Sequence, residues 1–229
     1  MLASIEQLAR VSVLQNLDTS SLARLQPNTR IKTYLKNEIV IHESERLSES
    51  LHVLIFGILQ IKKNSPNGKE TLIRLVLPGE IFAAPAIFGN GISPATAICE
   101  INSQVLTISR AALLDTIHQT PEVALRILET FDRRLQQLHG TLHGLISERA
   151  IVRLVRLIQY YADRYGMTAI DGKQRLNIKL PHQNIARSIG ITYEECVRLF
   201  KKIDSVVEYK RGGSISIKDC DALENLARE

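Results

Sequence analysis

No stretch of the 229 residues approaches the ~18 consecutive apolar positions that a membrane span requires, and Met1–Arg10 lacks the order of a signal peptide. The expectation is a cytoplasmic protein with no membrane partner. Cysteine is scarce. Cys99, Cys196 and Cys220 are odd in number and without CxxC spacing, which argues against a disulfide framework and a four-cysteine cluster. Buried thiols are the expected role. Also missing are a phosphate loop and any set of nucleophile, base and oxyanion donor, so no enzyme is expected.

What the chain does have is unevenly placed charge. Residues 1–148 hold 14 Lys and Arg against 14 Asp and Glu, whereas residues 149–229 hold 15 against 10. The net charge of +5 therefore lies in the last third. A basic domain joined to a neutral one suggests that only the basic one meets a polyanion.

Within that basic third, Leu180–Ile203 reads as two short helices with Gly190 between them. Ile185, Ala186 and Ile189 form one apolar stripe, and Pro181 suits an opening turn. Gly190 follows the last apolar residue, where a left-handed stop is easiest without a Cβ. Thr192-x-x-Glu195 reads as a capping box, and Cys196, Leu199, Phe200 and Ile203 repeat the inward stripe. The spacing predicts a helix-turn-helix. On the opposite face of the second helix stand Tyr193, Glu194, Val197, Arg198 and Lys201. Arg can donate two bonds to guanine, Glu can accept from cytosine, and Val can rest on a thymine methyl. Further on, Val206–Tyr209 and Ser214–Ile217 flank Arg211-Gly-Gly213, a hairpin whose tip carries Lys210 and Arg211 toward phosphate. This makes the domain a winged helix-turn-helix.

The preceding two-thirds opens with short helices over Ile5–Leu25, capped at Asp18 or Thr19. From Ile31 the apolar period falls to two. Ile39–Ile41, Leu51–Phe56, Ile58–Ile61, Thr71–Leu77, Ala95–Ile98 and Gln104–Ile108 read as strands between turn signals, of which Ser65–Gly68 is the clearest hairpin. Many short strands at this spacing predict an antiparallel barrel or double-sheet roll. After a short helix over Arg110–Thr116, Pro121 opens a long one. Ala124, Leu128, Phe131, Leu135, Leu138, Leu142 and Leu145 step alternately by four and three, the seam of a coiled coil and of a homodimer. Val123 and Ile127 widen the stripe, so that one side touches the roll. Gly140 and Gly144 interrupt helix propensity, for a close helix approach or a hinge. Another helix is expected over Ile151–Tyr165.

Roll, dimer helix and winged helix-turn-helix in this order resemble the cyclic-AMP receptor protein and fumarate–nitrate regulator (CRP/FNR) superfamily of bacterial transcription factors. The resemblance spans nearly the whole chain. It rests on Leu77-Pro-Gly-Glu-Ile-Phe82, Gly57, Gln183-Asn-Ile-Ala186, Gly190, Thr192-x-Glu194-x-x-x-Arg198 and Ile215-x-Ile-x-Asp219. It implies an α+β protein: a cyclic-nucleotide-binding-like jelly roll over 1–118, a dimerisation helix over 119–148 and the winged helix-turn-helix over 149–229. It also implies that Gln183, Glu194 and Arg198 meet double-stranded DNA at a two-fold symmetric site, and that the bound dimer touches RNA polymerase.

The departures bear on the effector. Where cyclic-AMP binders of the family carry Gly-Glu after the Pro-Gly turn, this chain has Ala83-Ala84. Pro94-Ala95 replaces the Arg-Ser pair that holds the cyclic phosphate, and Leu138-His139 replaces the polar pair that touches adenine. Without the Arg the bidentate contact to phosphate is gone. This argues against cyclic AMP in the usual mode and leaves either a different effector, with Arg74 nearby, or none. Residues 1–98 hold no Cys for an iron–sulfur cluster, Tyr193 stands at a position often occupied by Arg, and Pro181 replaces a Thr cap. No metal site is expected, although His139 and His143 at i, i+4 leave a haem or gas sensor open. A signalling module whose helix-turn-helix serves only protein contact is the other open reading.

Overall fold

Alternating apolar positions between residues 29 and 109 close two four-stranded antiparallel sheets face to face. The computed structural model describes residues 1–64 and 70–227, and divides into two units, Met1–Arg134 and Leu135–Glu229. The first begins with α1 (Ile5–Ala9) and α2 (Thr19–Leu25). Asp18 caps α2 by accepting from Ser21 N–H at 2.9 Å. The strands follow as β1 (Thr29–Tyr34), β2 (Ile39–Ile41), β3 (Ser50–Phe56), β4 (Leu59–Asn64), β5 (Glu70–Val76) and β6 (Ile81–Phe82). A single turn, α3 (Pro85–Phe88), separates them from β7 (Thr96–Cys99) and β8 (Ser103–Ser109), and α4 (Arg110–Gln119) and α5 (Glu122–Ser147) complete the helices of this region.

The sheets have the orders β1-β8-β3-β6 and β2-β7-β4-β5. β4 and β5 pair from Leu59↔Val76 to Asn64↔Glu70. The hairpin expected at Ser65–Gly68 lies outside the described residues. β3 is buried on both faces, which is why it reads as a nearly continuous apolar run. Leu51 and Val53 face a core shared with Leu8, Leu22, Val123 and Ile127, while Leu54 faces the roll interior with Leu59, Phe82 and Val105. Val123 and Ile127 thus fasten the start of α5 to the roll.

The second unit takes up α5 from Leu135 and adds α6 (Ala150–Tyr165), β9 (Met167–Ile170), β10 (Lys173–Leu176), α7 (His182–Ile189), α8 (Tyr193–Lys202), β11 (Val207–Lys210), β12 (Ser214–Ile217) and α9 (Cys220–Leu226). Its sheet has the order β11-β12-β10-β9. The β9–β10 hairpin is an addition to the sequence reading. It turns at Asp171-Gly172, both with positive φ. The thiols also divide: Cys99 and Cys196 are buried as expected, but Cys220, at the start of α9, is exposed.

Candidate nucleic-acid interface and roll cavity

α7 and α8 meet as a helix-turn-helix because their apolar stripes face one core. Ile185, Ala186, Ile189, Cys196, Phe200 and Ile203 are all buried, and Leu199 is half-buried at the edge. Burial pushes the Cys196 thiol up to about 12, so it serves as packing. Gly190 ends α7 in the left-handed conformation (φ 70°, ψ 37°), and Ile191 N–H donates to Ala186 O at 3.0 Å. Thr192 Oγ1 accepts from Glu195 N–H at 3.1 Å, which is the forward half of the expected capping box. The reciprocal box stands instead at Ser4 and Gln7.

Pro181 is the N-cap of α7 rather than a residue of its first turn, and brings no capping side chain. The wing compensates. Tyr209 Oη on β11 accepts from His182 N–H at 3.1 Å, and the two rings stack with centroids 3.6 Å apart. His182 also meets Tyr193 and Phe200 edge-on. Burial holds its imidazole below the usual range, which favours the neutral ring. His182 and Tyr209 escape sequence reasoning, since no local pattern links positions so far apart.

Tyr193, Glu194, Arg198 and Lys201 are exposed on α8, with Val197 half-buried among them. Gln183, Tyr193 and Arg211 come together around one shallow depression floored by His182 and Tyr209. Lys210 and Arg211 are exposed at the wing tip, where Lys210 Nζ lies 3.7 Å from the Glu208 carboxylate. The same carboxylate holds Lys173 at 3.1 Å and is kept below its usual range chiefly by that bond. Lys210 is thus partly neutralised, which leaves Arg211 as the stronger cation at the tip.

In the first unit, Arg74, Ala83, Ala84, Pro94 and Ala95 line one cavity of about 150 Å³ with Ile41, Ile61 and Phe82. Arg74 Nη1 pairs with Glu80 Oε2 at 3.2 Å, and Nη2 donates to Ile81 O at 3.3 Å, so its guanidinium is engaged by the roll itself. Ala83 sits at φ 53°, where L-residues crowd the backbone. Ala83→Gly should therefore raise stability by about 1 kcal/mol, the relief exceeding the added chain entropy. A urea midpoint that falls would contradict this.

Leu128, Leu135, Leu138, Leu142 and Leu145 on α5 are each 45–61% exposed. Phe131 differs. It is half-buried against the roll core, edge-on to Phe88 with centroids 5.8 Å apart. His139 and His143 are exposed on α5, and among the described residues no three potential ligands converge to hold a metal ion. Among the described residues, too, no helix is long and apolar enough to cross a membrane.

Fold and helix pair together define a protein with a winged helix-turn-helix, and comparison with known proteins narrows the class. The model of the cyclic nucleotide-binding domain matches residues 31–120, and that of the Crp-like helix-turn-helix domain matches residues 152–226. A CRP-like cAMP-activated global transcriptional regulator of Mycobacterium tuberculosis is 28% identical over 226 residues, 97% of this chain and 99% of that protein. The nitrogen fixation regulation protein FixK of Bradyrhizobium diazoefficiens is 25% identical, across 94% of this chain and 90% of its own. A CooA mutant from Carboxydothermus hydrogenoformans shares the fold, with a TM-score of 0.79 at 16% identity over 96% of this chain and 95% of that one. The chain belongs to the CRP/FNR superfamily and is a DNA-binding transcriptional regulator of that family.

Proposed function

We propose that the chain acts in the cytoplasm as a homodimer, joined through the helix at 119–148, and reads a two-fold symmetric DNA site with α8. Glu194, Val197 and Arg198 meet base edges. Gln183, Thr192, Tyr193, Lys201, Lys210 and Arg211 position the helix on the backbone, and the bound dimer contacts RNA polymerase. The observation that carries this reading is the exposed row on α8, held by the buried stripe behind it and flanked by the wing cations. Selection from a random DNA pool should return inverted half-sites about one helical turn apart. Affinity for them should fall steeply as salt rises. A pool without two-fold symmetry would sink the reading.

The roll, in the same proposal, does not hold cyclic AMP in the usual mode. The activation named for the Mycobacterium relative is not carried over, because Ala84 and Pro94 offer neither a carboxylate nor a guanidinium, and Arg74 is committed to Glu80. What remains is a small, largely apolar cavity, suited to another effector or to none. Millimolar cyclic AMP should give no calorimetric heat and no rise in melting temperature. A saturable micromolar isotherm would mean that other groups have rebuilt the phosphate site.

A further inference from the structure

The second unit contains a recess of about 230 Å³, separate from the DNA-facing depression. Gly140, Thr141 and Gly144 of α5 form one side, and Leu157 and Tyr160 of α6 with Ile189 of α7 form the other. Gly140 leaves space rather than contact: a Cβ there would meet no atom within 4 Å. On the same helix, Ile146 is 76% exposed, more than any leucine of the seam. We propose that Ile146 of the partner subunit covers and fills this recess in the dimer, so that each α5 supports the other copy's DNA-binding unit.

Heptad geometry carries the step, and it rests on the proposed dimer through α5, whose two helices must run parallel for both α8 helices to reach half-sites one helical turn apart. With Leu128, Leu135 and Leu142 at a and Leu138 and Leu145 at d, Ile146 falls at e and Thr141 at g. In a parallel two-stranded coil each g position is flanked by the partner's e position of the following heptad, five residues on. The partner's Ile146 therefore arrives beside Thr141, at the mouth of the recess. The seam leucines do not cover Ile146, and no described residue of the same copy fills the largely apolar hollow beside Thr141. Each is what the other lacks. Leu145 adds continuity, because it belongs to the seam, lines the recess and reaches Gly190, whose Cβ would stand 3.1 Å from its Cδ2. The filled recess thus lies directly behind the turn that sets α8.

Crosslinking of full-length protein in a Cys220→Ser background tests this, since Cys99 and Cys196 are buried. Copies carrying Thr141→Cys, mixed with differently tagged copies carrying Ile146→Cys and treated with bismaleimidoethane, should join as mixed dimers. Each variant alone should join several-fold less. Leu142→Cys, in the seam itself, should join in every case. A Leu142→Cys crosslink without the mixed one would overturn the proposal while leaving the dimer standing. Loss of both would overturn the parallel dimer. A second measurement reads the filling: Ile146→Asp should leave the protein dimeric but lower its melting temperature by several degrees, whereas an unchanged melting temperature would show that Ile146 stays in water.

Discussion

Leu135→Glu combined with Leu138→Glu should convert the protein to a species of one chain's mass, 25.7 kDa, in size exclusion with light scattering. Both leucines are at least half exposed in the single chain, so glutamate there costs the protomer little. In a dimer the same positions fall in the seam, where each unpaired buried charge costs several kcal/mol, and two-fold symmetry doubles every insertion. The protomer's circular dichroism should be unchanged. DNA affinity should drop by at least about a hundredfold, since two half-sites are no longer bound as one unit. A double variant that stays dimeric would place the interface elsewhere.

Gly213→Ala should be nearly as damaging, at the other end of the DNA-binding unit. Gly213 has φ 91°, and a Cβ would stand 2.7 Å from Leu180 C and 2.8 Å from Leu180 N and Pro181 N. This approach lets Leu180 N–H donate to Gly213 O at 2.7 Å and ties the wing to the entry of α7. Alanine must push the wing away, at a cost of roughly 2–4 kcal/mol from backbone strain and overpacking together. Gly212→Ala is the control. Its φ of 93° is similar, but its Cβ would meet nothing within 4 Å, so only the strain remains. Urea unfolding should separate the two, and equal losses would show that the close approach does not matter.

The recognition pair is legible in the sequence because cap, stripe and glycine stop coincide within a few residues and each has its own physical cause. The roll is legible for a similar reason, as period-two runs broken by turn residues. What escapes is structure without a local signature. β6 is two residues long, and β9 is mostly exposed and shows no apolar alternation, so only Asp171-Gly172 hints at its hairpin. The cap that Tyr209 gives to His182 depends on residues 27 apart and exists only once the wing has folded back. The strain at Ala83 is invisible in composition, although its place after the Pro-Gly turn marks the departure from the family pattern. Heptad spacing likewise predicts an α5 seam that includes Phe131 but does not show that Phe131 leans on the roll.

Base reading by α8 is the centre of this account, and one titration tests it directly. Arg198 is exposed one turn after Glu194 on the face opposite buried Cys196. Once selection has defined the site, Arg198→Ala and Arg211→Ala would each be titrated against every single-base change in a half-site. Arg198→Ala should abolish preference at one symmetric base pair, removing about 1–3 kcal/mol of discrimination there. Arg211→Ala should weaken all sequences about equally and reduce the slope of log affinity against log salt by about one. If Arg198→Ala instead weakens every sequence uniformly and leaves each base preference intact, α8 does not read DNA through this residue, and the account fails at its centre.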